Sequence, residues 1–253
     1  MNTSKQPYGT VLIKADRILG FLSSCEKPQP LNIIAKETEL TNSTALKILD
    51  TLLLIGYVHK DPETKKFSLG TKLIKYANKS INQLDIKQIA HPYLVDLQQK
   101  TTETVHLGIL DDSSIVYVSK IESKNPICLY SQLGKHVPLY CSAMGKAIIA
   151  EHSDEEIEKY LRDTPLTQRT SNTITSKENF LREITRIRAL GYAFDNSENE
   201  DGVFCVGTTL TTNNKNYGAI SVSVPQYRVT EDFLQEMIGA LQTCRRQILG
   251  ELA

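Results

Sequence analysis

Residues 40–58 read LTNSTALKILDTLLLIGYV, and this stretch decides the fold of the first quarter of the chain. Ala45, Ile48, Leu49, Leu52 and Leu53 recur at spacings of three and four, the apolar stripe of a helix over roughly 43–55. Ser43, Thr44, Lys47 and Thr51 recur in the same way on the opposite face. Thr41 or Asn42 can cap the helix. Hydroxyls bond phosphates or base edges and a lysine reaches phosphate or guanine, so this polar face suits a helix that reads a DNA groove. The same pattern also describes a face that simply meets water.

Working outward toward the N-terminus, residues 11–24 place Leu12, Ala15, Leu19 and Leu22 on one helical stripe, with Lys14 and Arg17 off it. Pro28 and Pro30 end that helix. A short apolar segment with Leu31, Ile34 and Ala35 and a tight turn at 40–42 lead into the polar-faced helix. On its other side, residues 57–60 and 66–69 read as two short strands joined by a turn at 61–65, a hairpin that carries Lys60, Lys65 and Lys66. Helix, helix-turn-helix and basic hairpin, in that order, make a winged helix-turn-helix.

Composition supports two soluble parts of unlike charge. Of 253 residues, 40% are hydrophobic and 23% charged, ordinary for a globular protein. No apolar run approaches the ~20 residues that span a bilayer, so no membrane association is expected. The first residues lack the apolar core of a secretory signal. Five widely spaced cysteines, with no CxxC, give the reduced pattern of a cytoplasmic protein. Lys+Arg and Asp+Glu are each 29, yet residues 1–75 carry +4 and the remainder −4. A basic first quarter on an acidic body points to a polyanion meeting only the N-terminal part.

Residues 71–82 are helical in pattern without a strong core stripe and read as a linker helix. Residues 85–100 continue helically, with Pro92 expected to kink or restart the helix. Strands are expected at 105–110, 115–121, 127–132, 192–195, 203–210 and 217–224, with turns at 111–114 and 213–216. Helices are expected at 142–151, 154–162, 176–189 and about 230–250. Interleaved strands and helices with hairpins indicate an α+β domain around a mostly antiparallel sheet.

These segments together resemble the IclR family of bacterial transcriptional regulators over roughly residues 8–250. Residues 43–52, STALKILDTL, followed by Gly56-Tyr57, are similar to that family's recognition helix. Residues 134–147, GKHVPLYCSAMGKA, are similar to its effector loop, and 198–203 and 218–225 to two further motifs. The resemblance implies a winged helix-turn-helix DNA-binding domain at 8–70, a linker helix at 71–84 and a GAF-like effector-binding domain at 85–253. It implies double-stranded operator DNA as one partner and a small organic acid or related metabolite as the effector. It also implies a homodimer formed through the N-terminal part, and often a homotetramer built as a dimer of dimers.

Arg17, Asn42, Ser43, Thr44, Lys47, Lys60, Lys65 and Lys66 are the expected DNA-contacting residues. Lys47 stands where the family usually has arginine, and a lysine cannot make arginine's forked contact. The resemblance maps the effector site onto the backbone of Ala143 and Met144 and onto Asp195, Cys205, Ser221 and Ser223. The residues agree in kind. Helix N-termini attract carboxylates, a helix starts near Ala143, and Ser221 and Ser223 share one side of a strand. Met144 is larger than is usual in relatives that bind very small acids. The bland alternatives are serines facing solvent and Asp195 capping a turn.

Other chemistries fit less well. Gly145-Lys146 is not a Walker loop, because Tyr140 and Ala147 occupy its required glycine and hydroxyl positions. No cofactor is expected. Cys141 or Cys205 with a histidine at 91, 106, 136 or 152 would make a thiol nucleophile, but no nucleophile motif surrounds either. Cys141, Cys205, His136 and Asp195 form a zinc-compatible set without a close-spaced ligand pair, so no metal is expected. A metabolite-binding or enzymatic α+β protein with a protein-contact winged helix is the alternative to a ligand-responsive regulator.

Overall fold

The computed structural model describes residues 8–82, 85–124 and 131–252. Two compact units divide between Gln83 and Leu84. In the first, α1 (Thr10–Ser24), α2 (Leu31–Glu37) and α3 (Asn42–Leu54) precede a hairpin of β1 (Val58–Lys60) and β2 (Phe67–Leu69), and α4 (Lys72–Asn82) follows. Gln29 and Phe67 exchange backbone hydrogen bonds of 2.9 and 2.8 Å, which tie the entry of α2 to the hairpin. Glu39 takes a left-handed turn (φ 56°), and the Leu40 N–H donates to the Ala35 carbonyl to close α2. Thr41 is the cap of α3, accepting from the Thr44 N–H at 3.2 Å, and Asn42 is its first helical residue.

Ile18, Leu22, Ile34, Ala35, Ala45, Ile48, Leu49, Leu52, Val58 and Phe67 form the core of this unit. Two expectations need correction. The inward stripe of α1 is Ala15, Ile18, Leu19 and Leu22, while Leu12 is 72% exposed. Ile18 completes the three-and-four spacing around Ala15 and Leu22, and Leu12 lies a turn beyond it. Leu53 is also exposed, because the line through Ala45, Ile48, Leu49 and Leu52 already fills the buried side of α3.

The second unit contains α5 (Asp85–Thr101), β3 (Thr104–Asp111), β4 (Ser114–Ile121), β5 (His136–Pro138), α6 (Ala143–Ala150), α7 (Asp154–Asp163) and α8 (Lys177–Leu190). It continues with β6 (Ala193–Asn196), β7 (Val203–Thr212), β8 (Lys215–Pro225) and α9 (Glu231–Leu252). The strands form one antiparallel sheet in the order β5-β4-β3-β8-β7-β6. The expected strand at 127–132 lies largely outside the described residues, and Ser131 and Gln132 are not in a strand. The edge position is taken by β5, whose three residues are too few to show an alternating pattern. α5 runs through Pro92 as one helix, with Ala90, Leu94 and Leu97 keeping both halves on the core. The β7–β8 turn is tighter than expected: only Asn213 and Asn214 (φ 51° and 58°) lie outside the strands.

Period-two alternation divides the sheet into two faces. Val105, Leu107, Val206, Ile220, Val222 and Val224 pack with α5 and α9. The other face holds His106 and Gly108, Cys205 and Gly207, and Ala219, Ser221 and Ser223, aligned across β3, β7 and β8 by the pairs His106↔Ser221↔Gly207 and Ser223↔Cys205. α6 lies on this face. Its first turn rests on Gly207, where an added Cβ would come within 2.8 Å of the Met144 nitrogen. Beyond its last turn, the Glu151 carboxylate accepts from the hydroxyls of Thr209 and Thr211. All eight residues of α6 are buried, Lys146 included. Register shifts at Leu107/Gly108 and at Thr209/Thr211 mark bulges that curl the sheet.

Candidate functional site

The two candidate surfaces lie in different units. On the first, Ser43 and Lys47 stand one turn apart on the exposed face of α3, with Asn42 beside them. Thr44 is half-buried, and its hydroxyl accepts from that of Thr41 at 2.9 Å, so part of its hydrogen-bonding capacity serves the cap. Arg17 and Lys66 are exposed. Lys60 is half-buried, its ammonium 5.1 Å from the centre of the Phe67 ring. Lys65 donates to the Pro62 carbonyl at 2.6 Å and helps shape the hairpin tip. The Asp61 carboxylate fixes that tip by accepting from the N–H groups of Glu63 and Thr64.

On the second unit, a small cavity of about 30 Å³ opens at the end of the sheet face that α6 leaves uncovered. Asp195, Cys205 and Ser223 line it side by side on β6, β7 and β8, in direct register across the three strands. Ser221 is buried two residues further along β8, opposite Gly207, and is not in the cavity wall. The Ala143–Met144 backbone sits over Gly207. The N–H groups of Ala143 and Met144 belong to the first turn, which has no intrahelical acceptors. Ser142 caps the helix, accepting from Gly145 N–H at 3.2 Å and donating to the Pro138 carbonyl at 2.8 Å. The Met144 side chain turns away toward Gly108.

Asp195 does what the bland reading expected and also lines the cavity. Its Oδ1 accepts from the N–H groups of Glu198 (2.7 Å) and Asn199 (3.3 Å), which fixes the turn after β6. Burial nevertheless outweighs those bonds and pushes its carboxyl up to about 7, with Glu198 adding to the rise. Folded Asp195 therefore keeps its proton over a range where the unfolded group, near 3.9, has lost it. The folded state binds more protons between about pH 4 and pH 7, so this residue's contribution to stability is lost as pH rises through that window. Asp195→Asn keeps the turn's acceptor and is expected to reduce the fall in urea midpoint between pH 5 and pH 8. An unchanged pH difference would remove Asp195 as the cause.

His106, Tyr117, Ser131, Asn199, Glu200 and Val203 complete the lining. The sequence reading did not assign these six to the effector site. The signal for His106 was available: a lone histidine in an apolar strand, two residues from Gly108. Tyr117 joins that face across the bulge at Leu107/Gly108, which no local pattern announces. His106 is 1% exposed, and burial followed by the charge of Lys120 pushes its imidazole down to about 3, so it is neutral. Burial pushes the Cys205 thiol well up and that of Cys141 up to about 12. A thiol nucleophile needs a lowered thiol and a basic histidine, the opposite of this arrangement. His136 is exposed on β5, hydrogen-bonded to Ser114 at 2.8 Å, so the zinc-compatible set is not assembled. No group of three or more metal-ligating side chains occurs among the described residues.

Lys146 is buried in an ion pair with Glu198, and Glu183 lies 3.6 Å away. It thereby ties α6 to the turn that Asp195 holds. Thr170 and Thr173 donate to carbonyls of that turn at 2.6 and 2.7 Å. No described helix is long and apolar enough to cross a membrane.

Comparison with known proteins matches both units. Residues 78–249 match the family described as bacterial transcriptional regulator IclR C-terminal, and residues 11–62 match the IclR helix-turn-helix domain. The HTH-type transcriptional regulator KdgR of Escherichia coli K12 is 31% identical over 242 residues, 93% of this chain and 91% of that protein. The crystal structure of the Thermotoga maritima IclR superposes with a TM-score of 0.75 at 34% identity, covering 96% of this chain and 98% of that one. An IclR homolog from Microbacterium hydrocarbonoxydans, solved in complex with 4-hydroxybenzoate, has the same fold (TM-score 0.80, 20% identity, 96% and 98% covered). The chain therefore belongs to the IclR family of bacterial transcriptional regulators: it is a DNA-binding regulator, not an enzyme.

Proposed function

We propose that the cavity beside the first turn of α6 binds a small organic acid and that this binding alters the regulator's affinity for its operator. One observation carries the reading. Three polar side chains in register, Asp195, Cys205 and Ser223, line the cavity, and two residues along β7 from Cys205 the N-terminal turn of a buried helix rests on Gly207, a turn whose N–H groups favour a carboxylate. The homologue solved with 4-hydroxybenzoate supports an acid as ligand for this fold. About 30 Å³ accommodates water rather than an organic acid. Ligand entry must therefore move a wall, and a ligand that prefers the widened form shifts the protein toward it. α4 and the residues up to 84 are the covalent route by which that shift reaches the DNA-binding unit.

Replacing Ser221 and Ser223 together by alanine tests this. The double variant is expected to hold operator DNA as before and to lose its response to acids. A variant that still responds would remove the site.

On the DNA side, the proposed contacts are Asn42, Ser43, Thr44 and Lys47 in the groove and Arg17, Lys60, Lys65 and Lys66 at phosphate. A two-fold homodimer would require a roughly palindromic operator, and a homotetramer would engage two. Lys47→Ala is expected to cost about 1–3 kcal/mol of specific affinity, from the loss of a base-edge contact. Anisotropy at two salt concentrations, with operator and scrambled DNA, checks it. An equal loss on both DNAs with a flatter salt slope would reassign Lys47 to phosphate.

A further inference from the structure

We propose that the C-terminal unit carries a second small-molecule site, separate from the effector cavity, and that it takes a free α-amino acid with an aliphatic side chain. The site lies at the opposite end of α6 and does not rest on the effector-site reading.

A cavity of about 270 Å³ opens beside the last turn of α6, bounded by the end of α8, by β7 and by α9. Pockets that hold drug-sized ligands measure about 300–1,000 Å³, so this one suits a small metabolite without any wall having to move. Ala147 and Ala150 of α6 and Ile187 of α8 supply its apolar lining.

Two groups of opposite charge also line it, and neither is in an ion pair. Arg245 of α9 donates through Nε to the Thr209 carbonyl at 2.9 Å, and its terminal N–H groups have no partner among the described residues. The Glu151 carboxylate accepts from the hydroxyls of Thr209 and Thr211, with no cation paired to it among the described residues. Thr209 thus holds both, one by its carbonyl and one by its hydroxyl, yet the two do not pair with each other. The other cation in the lining is committed: Arg188 donates to the carbonyls of Ala150 and His152 and to the Asp154 carboxylate.

A ligand with a single charge satisfies half of this arrangement. An anion on Arg245 would share the cavity with the Glu151 carboxylate, and a cation on Glu151 would share it with the guanidinium. A zwitterion meets both. Its carboxylate takes the forked N–H groups of Arg245, and its ammonium donates to the lone pairs that the threonines leave on Glu151. Two helices also end here, with Glu151 the C-cap of α6 and Gly191 that of α8. The partial negative charge of a helix C-terminus favours an ammonium. Gln242 donates to the Gly191 carbonyl at 3.1 Å, which leaves its amide oxygen as a further acceptor. The ligand's side chain then falls to the two alanines and Ile187, so it is aliphatic.

The test titrates the full-length protein by calorimetry with two size-matched sets. Leucine is compared with isocaproate, which lacks the ammonium, and isoamylamine, which lacks the carboxylate; valine is compared with isovalerate and isobutylamine. Leucine or valine is expected to bind. Arg245→Gln and Glu151→Gln should each weaken that binding by about tenfold or more, the scale of one hydrogen bond to a charged group. The two changes sit on different helices, so either carries the test if the other variant does not fold. The analogues are compared only through binding that one of these variants weakens, which sets aside any acid held in the effector cavity. By that measure each analogue should bind about tenfold or more weakly than its amino acid. The proposal is overturned if neither amino acid binds, if both variants bind it like the unaltered protein, or if an analogue matches it. It also fails if replacing Ser221 and Ser223 by alanine abolishes amino-acid binding while Arg245→Gln does not, since the amino acid would then occupy the effector cavity.

Discussion

Replacing Lys146 by methionine is expected to destabilise the C-terminal unit by about 3–5 kcal/mol, the cost of removing one partner from a buried ion pair. Lys146 is completely buried, and its ammonium holds the Glu198 carboxylate with Glu183 close by. The second oxygen of Glu198 is buried without a hydrogen-bond partner, and burial already pushes that carboxyl up despite the lysine beside it. Without the lysine, Glu198 can avoid a bare buried charge only by taking a proton. The loss should therefore be larger at pH 8 than at pH 5. Adding Glu198→Gln should recover part of it, and a double-mutant cycle in urea measures how much. Equal losses at both pH values, with no recovery in the double variant, would show that packing rather than charge accounts for the effect. The Glu198 N–H is also a donor to Asp195, so the single variant should loosen the cavity wall as well.

The second large effect is expected at Gly207. An alanine there would put its Cβ 2.8 Å from the Met144 nitrogen and 2.9 Å from the Ala143 carbonyl carbon. Both are backbone atoms of a buried helix, so relief requires lifting the first turn of α6 off the sheet. Overpacking of this kind costs about 1–3 kcal/mol. The larger consequence should be functional, because the atoms displaced are the N–H groups proposed to meet the ligand's carboxylate. Gly239→Ala is the control. It lies in α9 with nothing within 4 Å of the added carbon, and should gain about 0.5–1 kcal/mol from better helix propensity. Urea unfolding and ligand titration on both variants check the contrast. A Gly207→Ala protein that binds acid normally would mean that the first turn of α6 is not part of the site.

Much of this organisation is written locally. The spacing of Ala45, Ile48, Leu49 and Leu52 and the capping threonine define α3 to within one residue at each end, since helix periodicity needs no distant partner. The pairing of strands is another matter. That Asp195, Cys205 and Ser223 fall in one row follows from register, which depends on residues far apart in sequence. Family resemblance supplied those three residues, but neither it nor alternation supplied Tyr117, which a bulge brings round. The buried role of Lys146 was equally hidden. With a phosphate loop excluded, the sequence leaves Lys146 to support the fold or its loop through hydrogen bonds, but the Glu183 and Glu198 that make its burial tolerable lie far along the chain. Leu12 and Leu53 erred in the other direction: Leu12 lies a turn beyond the packed stripe of α1, and Leu53 flanks a side of α3 that its neighbours already fill.

The start of α6 has one more consequence, and it is a matter of lengths. Eight helical residues rise about 12 Å, whereas the ten residues of β7 extend for about 34 Å. A helix so short cannot roof the strand beneath it. It begins over Gly207 and is finished by the time it reaches Thr211, so α6 does not cover the stretch of β7 that precedes Gly207. The cavity is that shortfall. Each residue by which the Ser142 cap moved along the chain would lengthen or shorten the opening by about 1.5 Å without disturbing a single strand pairing. The sheet can thus stay fixed while the position of one capping serine sets how long a ligand the proposed site would admit.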